Sequence, residues 1–382
     1  MKIIIAPDSF KGCLSAKQAA LAMERGIRKA GNQAGIALET IKIPMADGGE
    51  GTVEAMIEAV GGTLVETEAL NPLGEPIRAS YAILPDRTAV IEMAAVSGLN
   101  LIEAAKRDPL KTTTFGTGQL IADALAKGCR RIVIGIGGSA TNDGGAGMAQ
   151  ALGVKLLDGC EREVGFGGGA LQNITRIDIT SLHPKILEAS FLIASDVKNP
   201  LCGPNGASHV YGPQKGATPE MVEVLDCNLA HFASIIRRDL GKDLANEQGA
   251  GAAGGLGAGL LAFLNAEMQS GIQIVMDIAR FEEQARSSDC IVTGEGATDF
   301  QSMFGKVPFG IARAAKKWNK PVLCISGTLG NGHEKLYESG IAALFSIMNK
   351  PMALEEAIER GEELLEQATE NVFRSIFAIK SV

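Results

Sequence analysis

Acidic residues recur in this chain at one kind of place: among glycines, directly after a short apolar run. Asp8 and Ser9 follow Ile3–Ala6 in IAPDSFKG, with Lys11 two residues on. Asp47 and Glu50 stand in MADGGEGT, and Asn142 and Asp143 in GIGGSATNDGGAGM. Asp196 ends FLIASD, and Glu295 and Asp299 sit in TGEGATDF, ahead of Lys306. One Asp after a strand is most simply a helix N-cap, and Asp47 with Glu50 could be a capping box. Five such loops in one chain ask for more. Glycines let backbone amides face anionic oxygens, while carboxylates hold a divalent cation or accept a proton. Lys11, Lys215 and Lys306 add cations beside these loops. Carboxylates, an amide cradle, a cation and a base together form the equipment of phosphoryl transfer.

The elements that must position these residues read as α/β. Apolar runs alternate with helix-like stretches, the pattern of a parallel sheet with crossover helices. Ser15 and Gln18 form a capping box for a helix whose apolar face runs through Ala20, Met23, Ile27 and Ala30. Further strands are expected at ETIKIPMAD, RRIVIGIGG, CIVTGEG, KPVLCISG and AALFSIM, and a closing helix over 353–376. Residues 62–94 alternate apolar and polar side chains around Asn-Pro-Leu-Gly and Pro-Asp turns, which predicts antiparallel hairpins. EASFLIASDV and SHVYGPQKGA read as strands. Thr218 with Pro219 opens a long helix. The pattern implies two discontinuous domains: a parallel α/β domain of residues 1–60, 115–155 and 275–382, and a mixed α/β domain of 61–114 and 156–274 inserted into it. The carboxyl ends of parallel strands build ligand crevices, so the site is expected where the acidic loops meet.

Composition and failed motifs exclude other classes. Of 382 residues 47 are Gly and 4% aromatic, with a formal net charge of −8. That argues against nucleic acid and anionic lipid as partners. Seven scattered Cys without a Cys-x-x-Cys exclude a zinc ribbon or a disulfide framework. Gly249–Ala266 carries no charge, but six of its residues are Gly, so a membrane span is rejected and a soluble cytoplasmic protein expected. Gly249, Gly251 and Gly254 satisfy G-x-G-x-x-G after a polar stretch, where the dinucleotide fingerprint needs a strand. Gly254 and Gly255 could still present amides to a phosphate. Gly305-Lys306 fails as a P-loop, because Val307 stands where Ser or Thr belongs. The four His, at 183, 209, 231 and 333, have no metal-ligand spacing.

At these loops the sequence resembles the bacterial glycerate kinase family, the type with its own two-domain fold. The stretches that carry the likeness include IAPDSFKG, MADGGEGT, IGIGGSATNDGGAGM, SDVKNPLCGPNGAS, GPQKGA, GAGAAGGLGAG, and TGEG through GKVP. They run in order from residue 3 to about 345. The resemblance implies a Rossmann-like or flavodoxin-like domain beside a mixed one, with the active site expected in the cleft between them. It also implies ATP- and Mg²⁺-dependent phosphorylation of D-glycerate to 2-phosphoglycerate or 3-phosphoglycerate. From the residues themselves, Asp8, Lys11, Asp47, Asp196 and Lys306 are the catalytic candidates. Ser9, Gly137, Gly138, Ser139, Thr141, Asn142, Asp143, Gly254, Gly255 and Glu295 are candidates to hold substrate or phosphate, and Asp196 and Asp299 to hold metal. The family pattern has Arg after TGEG, where this chain has Ala297, and Lys306 is the candidate substitute. A homodimer stays open. The rivals are a nicotinamide-dependent oxidoreductase on a small hydroxy acid, which rests on the glycine match alone, and a non-catalytic acid-binding homologue.

Overall fold

The computed structural model describes residues 1–303 and 305–380. In chain order its strands are β1 (Lys2–Ile5), β2 (Glu39–Lys42), β3 (Thr63–Leu70), β4 (Pro76–Ile83), β5 (Thr88–Glu92), β6 (Arg131–Gly135), β7 (Lys155–Leu157), β8 (Arg176–Asp178), β9 (Ser190–Ala194), β10 (Glu267–Gln269), β11 (Cys290–Thr293), β12 (Ala297–Thr298), β13 (Val322–Ser326), β14 (Thr328–Leu329) and β15 (Ile341–Ser346). The chain divides into two compact units, Met1–Asp47 with Glu54–Gly61 and Ile272–Val382, and Gly48–Val53 with Gly62–Gly271.

The first unit is built on a sheet of order β15-β13-β11-β1-β2, parallel throughout. Its central strands carry unbroken apolar runs (Ile3–Ile5, Cys290–Val292, Val322–Ile325) because helices cover both faces of such a sheet. Numbered within the unit, the order is 2-1-3-4-5, that of a doubly wound fold, and it reverses between β1 and β11. The helix Ala16–Ala34 starts at the expected Ser15–Gln18 capping box. It packs along the helix Gly361–Lys380 at Gly26, where a Cβ would fall 2.4 Å from the Glu366 carbonyl oxygen. Only glycine lets the two backbones come this close. Phe373, Phe377, Met23 and Ile27 close the core between these helices and the sheet.

The second unit has a six-stranded sheet of order β10-β9-β6-β5-β4-β3. The expected hairpins β3–β4–β5 are antiparallel, whereas β5, β6, β9 and β10 run parallel. Residues 115–155 belong here and not with the N-terminus: β6 pairs with β5 and β9. Arg-Ile-Val-Ile-Gly is a buried parallel strand in either sheet, and nothing local says which sheet takes it. SHVYGPQKGA is not a strand but the helix Ala207–Tyr211 and a 3-10 turn at Pro213–Lys215. The closing helix is two, Leu354–Glu359 and Gly361–Lys380. Thr218 caps Pro219–Leu240 as expected. Among the described residues no helix is long and apolar enough to cross a membrane.

Candidate functional site

In the first unit the hydrogen-bond ladder continues past the ends of the strands and carries the acidic loops with it. The Ala6 N–H donates to the Val292 carbonyl (2.7 Å) and the Asp8 N–H to that of Gly294 (2.8 Å). The Met45 N–H donates to the Pro7 carbonyl, and Gly327 N–H to that of Glu295 (3.0 Å). Asp8, Asp47 and Glu295 are thereby brought to the carboxyl edge of the sheet at the reversal of strand order, where ligands of such folds bind.

There they line one cavity of about 590 Å³, with Ser9, Lys11 and Lys306. Lys11 Nζ is 3.9 Å from Asp47 Oδ2. Lys306 Nζ is 3.4 Å from Glu295 Oε2 and 3.5 Å from the carbonyl oxygen of Ala297. Lys306 therefore does reach the backbone of the position where the family pattern has Arg. Glu295 is 5% exposed, and its Oε1 accepts from Ser302 Oγ (2.5 Å) and Thr298 Oγ1 (3.0 Å). That leaves it a fixed anchor for Lys306. Asp8 is different. Burial, then the charge of Asp47, push its carboxyl up to about 7, against the Ser9 N–H bond and the charge of Lys11.

Six of the predicted residues thus meet in one space. The two predicted metal residues are not among those that line it. Asp299 is not among the lining residues, and its Oδ1 accepts from Gln301 N–H. Asp196 is exposed at the end of β9, in the other unit. Among the described residues no group of three or more His, Cys, Asp or Glu could hold a metal ion by itself. Mg²⁺ on a nucleotide asks for less, one or two carboxylates beside phosphate oxygens and water. Asp47, nearly half exposed and acting electrostatically on Asp8, fits that requirement.

In the second unit the loop after β6 is a rigid knot. Asp143 is fully buried and accepts from Thr114 N–H (2.8 Å), Thr114 Oγ1 (2.9 Å), Gly145 N–H (3.1 Å) and Gly147 N–H (3.3 Å). Burial raises its pKa against those bonds. Asn142 Nδ2 donates to Ser208 Oγ, and Lys215 Nζ to the Thr141 carbonyl (2.7 Å). Burial pushes the Lys215 ammonium down to about 7, with Asp143 opposing. Ser139 and Thr141 are also buried, and the exposed part of the loop is the backbone at Gly137 and Gly138. Gly254 and Gly255 are buried against the same knot: a Cβ on Gly254 would lie 1.9 Å from the Thr141 carbonyl oxygen. They serve close backbone packing. Polar loop, not strand, precedes Gly249, so the dinucleotide frame is absent from this segment.

Sequence reasoning missed the other half of the cavity. Ile347, Met348, Met352, Leu354, Ala357 and Ile358 give the same cavity an apolar stretch of lining, and Cys13 reaches it, Sγ donating to the Ile358 carbonyl at 3.2 Å. These residues sit in no motif. Gly327 and Thr328 also line the cavity, and their Ser-Gly-Thr-Leu-Gly repeats the strand-then-glycine pattern that marked the other loops.

A charged pocket on a doubly wound sheet, with two lysines beside three carboxylates, holds residue types that a phosphotransferase acting on an alcohol employs. The family model described as the glycerate kinase family matches residues 3–377. The chain is 49% identical to the glycerate kinase of Bacillus subtilis, over 100% of this chain and 99% of that one. It is also 49% identical to the glycerate 2-kinase of Escherichia coli, over 97% of each. A crystal structure described as a glycerate kinase 2 from Salmonella typhimurium LT2 superposes with a TM-score of 0.90 at 46% identity, covering both chains fully. This chain belongs to the glycerate kinase family.

Proposed function

We propose that the chain transfers the terminal phosphoryl group of ATP to a hydroxyl of D-glycerate, with Mg²⁺, in the cavity of the first unit. The observation that carries this reading is the convergence of Asp8, Lys11 and Lys306 on one space at the switch point of the sheet. The 2-hydroxyl is the preferred acceptor, following the name of the Escherichia coli relative.

Asp8 is the base. The substrate oxygen forms its bond to the γ-phosphorus as the bond to the β-phosphate oxygen breaks, ADP leaves, and the hydroxyl proton passes to the Asp8 carboxylate. A carboxyl held near 7 is matched to that task, being able to accept a proton that an ordinary aspartate would not retain. Lys11 and Lys306 face the charge of the phosphoryl oxygens. Glu295 holds Lys306 in place. Asp47 would hold Mg²⁺, which supplies charge neutralisation on the phosphate oxygens when bound.

The test is a coupled assay with D-glycerate, ATP and Mg²⁺. ADP release that depends on glycerate is expected. Product consumed by enolase directly is 2-phosphoglycerate, and product needing phosphoglycerate mutase first is 3-phosphoglycerate. A folded protein that releases no ADP in response to glycerate overturns the reading.

A further inference from the structure

The cavity is larger and more divided than its small substrate requires. A three-carbon hydroxy acid is polar at every carbon and can be served wholly by the end that carries Asp8, Lys11 and Lys306. The lining contributed by residues 347–358 offers it nothing: Ile347, Met348, Met352, Leu354, Ala357 and Ile358 are all apolar. Three of them are unusually open for large apolar side chains, Leu354 at 70%, Ile358 at 39% and Met348 at 37% exposed. Exposed apolar area gathered in one concave place marks a binding surface. The wall is formed by one stretch of chain, from the end of β15 through the helix Leu354–Glu359, and it lines the same space as the loops after β1 and β11.

We propose that this wall is the seat of the purine ring of the nucleotide, so that ATP lies along the cavity with its base on the 347–358 segment and its phosphates at Lys11 and Lys306. The proposal rests on the kinase reading and adds to it where the donor's base binds. ATP has the polarity the cavity has: a flat heterocycle at one end and four negative charges at the other. Two methionines suit the ring face, since a thioether packs favourably against aromatic systems and adapts its shape to them. Burying the ring would also cover Met348, Leu354 and Ile358, which is the stabilisation that leaving them open forgoes.

Cys13 supplies a reporter that does not depend on turnover. Its thiol lines the cavity and touches the wall at the Ile358 carbonyl. Alkylation of the wild-type protein by N-ethylmaleimide, followed on the Cys13 peptide by mass spectrometry, is expected to slow at least fivefold with AMP-PNP or adenosine. D-Glycerate or inorganic triphosphate should protect less than twofold. Met348→Glu and Leu354→Glu change exposed side chains, so folding is little challenged. They should raise the KM for ATP tenfold or more, leave that for D-glycerate within twofold, and abolish protection by adenosine. If glycerate-dependent ADP release is intact while both variants keep the wild-type KM for ATP, or if triphosphate protects Cys13 as well as AMP-PNP does, the base binds elsewhere and this proposal alone falls. If no release is seen at all, the kinase reading falls, and protection by adenosine still decides whether the wall takes the base.

Discussion

Removing the Asp143 carboxylate should loosen the loop after β6 far more than an average substitution. In Asp143→Ala three backbone N–H groups, those of Thr114, Gly145 and Gly147, lose their acceptor in a fully buried place. Each orphaned donor costs about 1–3 kcal/mol. Against that stands relief of the carboxylate's own burial, which is what raises its pKa. The balance falls at about 3–5 kcal/mol, the range for stripping a buried charge network of one member. Asp143→Asn keeps the volume and one carbonyl oxygen, but turns an amide toward donors on one side. Its cost is one orphaned donor, about 1–2 kcal/mol. With a denaturant slope of about 3 kcal/mol per molar urea, the alanine variant's midpoint should fall by roughly 1–1.7 M and the asparagine variant's by less than half as much. Far-UV circular dichroism reads the midpoints. Amide exchange of peptides covering 112–118 and 143–148 should quicken in the same order. An alanine variant with a midpoint within about 0.3 M of wild type and unchanged exchange at those amides would refute the argument.

Asp8→Asn should lower kcat by about 10²–10⁴ with the urea midpoint little changed, the loss expected of a general base; a variant near wild-type turnover removes Asp8 from the chemistry. Lys306→Met should cost about 10²–10³ in kcat, as loss of one group facing transition-state charge does, and partial recovery is expected on adding Ala297→Arg, measured by the same coupled assay. Gly26→Ala forces a Cβ to 2.4 Å from the Glu366 carbonyl oxygen and should destabilise the first unit by about 1–3 kcal/mol, read by the fluorescence of Trp318, the single tryptophan, which lies in that unit. Glu24 gives a pH signature. Burial opposes its charge, but hydrogen bonds from Lys42, Thr40 and Arg28 outweigh it and hold its pKa down at about 2. The unfolded group titrates near 4.5, so its stabilisation is complete above that pH and vanishes as pH falls through about 2. Discounted for solvent screening it amounts to about 1 kcal/mol, and in Glu24→Gln that part of the acid-side decline in thermal midpoint should be missing.

Local signals carried much of the architecture. Caps at Ser15 and Thr218, the hairpins of 63–92 and the apolar runs of the parallel strands were all legible, because each depends on residues close together in the chain. The partition between the units was less so. β6 has the same composition whichever sheet it joins, and its partners β5 and β9 lie dozens of residues away on either side. The apolar wall of the cavity was invisible for a related reason: Met348, Leu354 and Ile358 are ordinary surface-to-core residues of a short helix and the turn before it, and only the fold brings them to the same cavity as Asp8.

The deeper ambiguity lay between residues that look alike. Asp8 and Asp143 each follow a parallel strand among small residues, and sequence offers the same chemistry to both. Their surroundings separate them. Asp143 collects three backbone N–H groups and two hydroxyls, so its acceptor capacity is spent on its own chain and it holds a loop. Asp8, among the described residues, accepts one hydrogen bond, from Ser9 N–H at 2.7 Å, and has a like charge for a neighbour. A carboxylate with lone pairs to spare, in a space that opens to ligand, is available for a proton that a saturated one cannot take. The same test sorts the glycines. Gly254 is pressed on the Thr141 carbonyl and is there for packing, while Gly138 is exposed on a positive-φ turn and keeps its amide edge accessible. What distinguishes a working loop from a structural one in this family of glycine-acid turns is therefore unspent hydrogen-bonding capacity, which is a property of the folded surroundings and not of the motif.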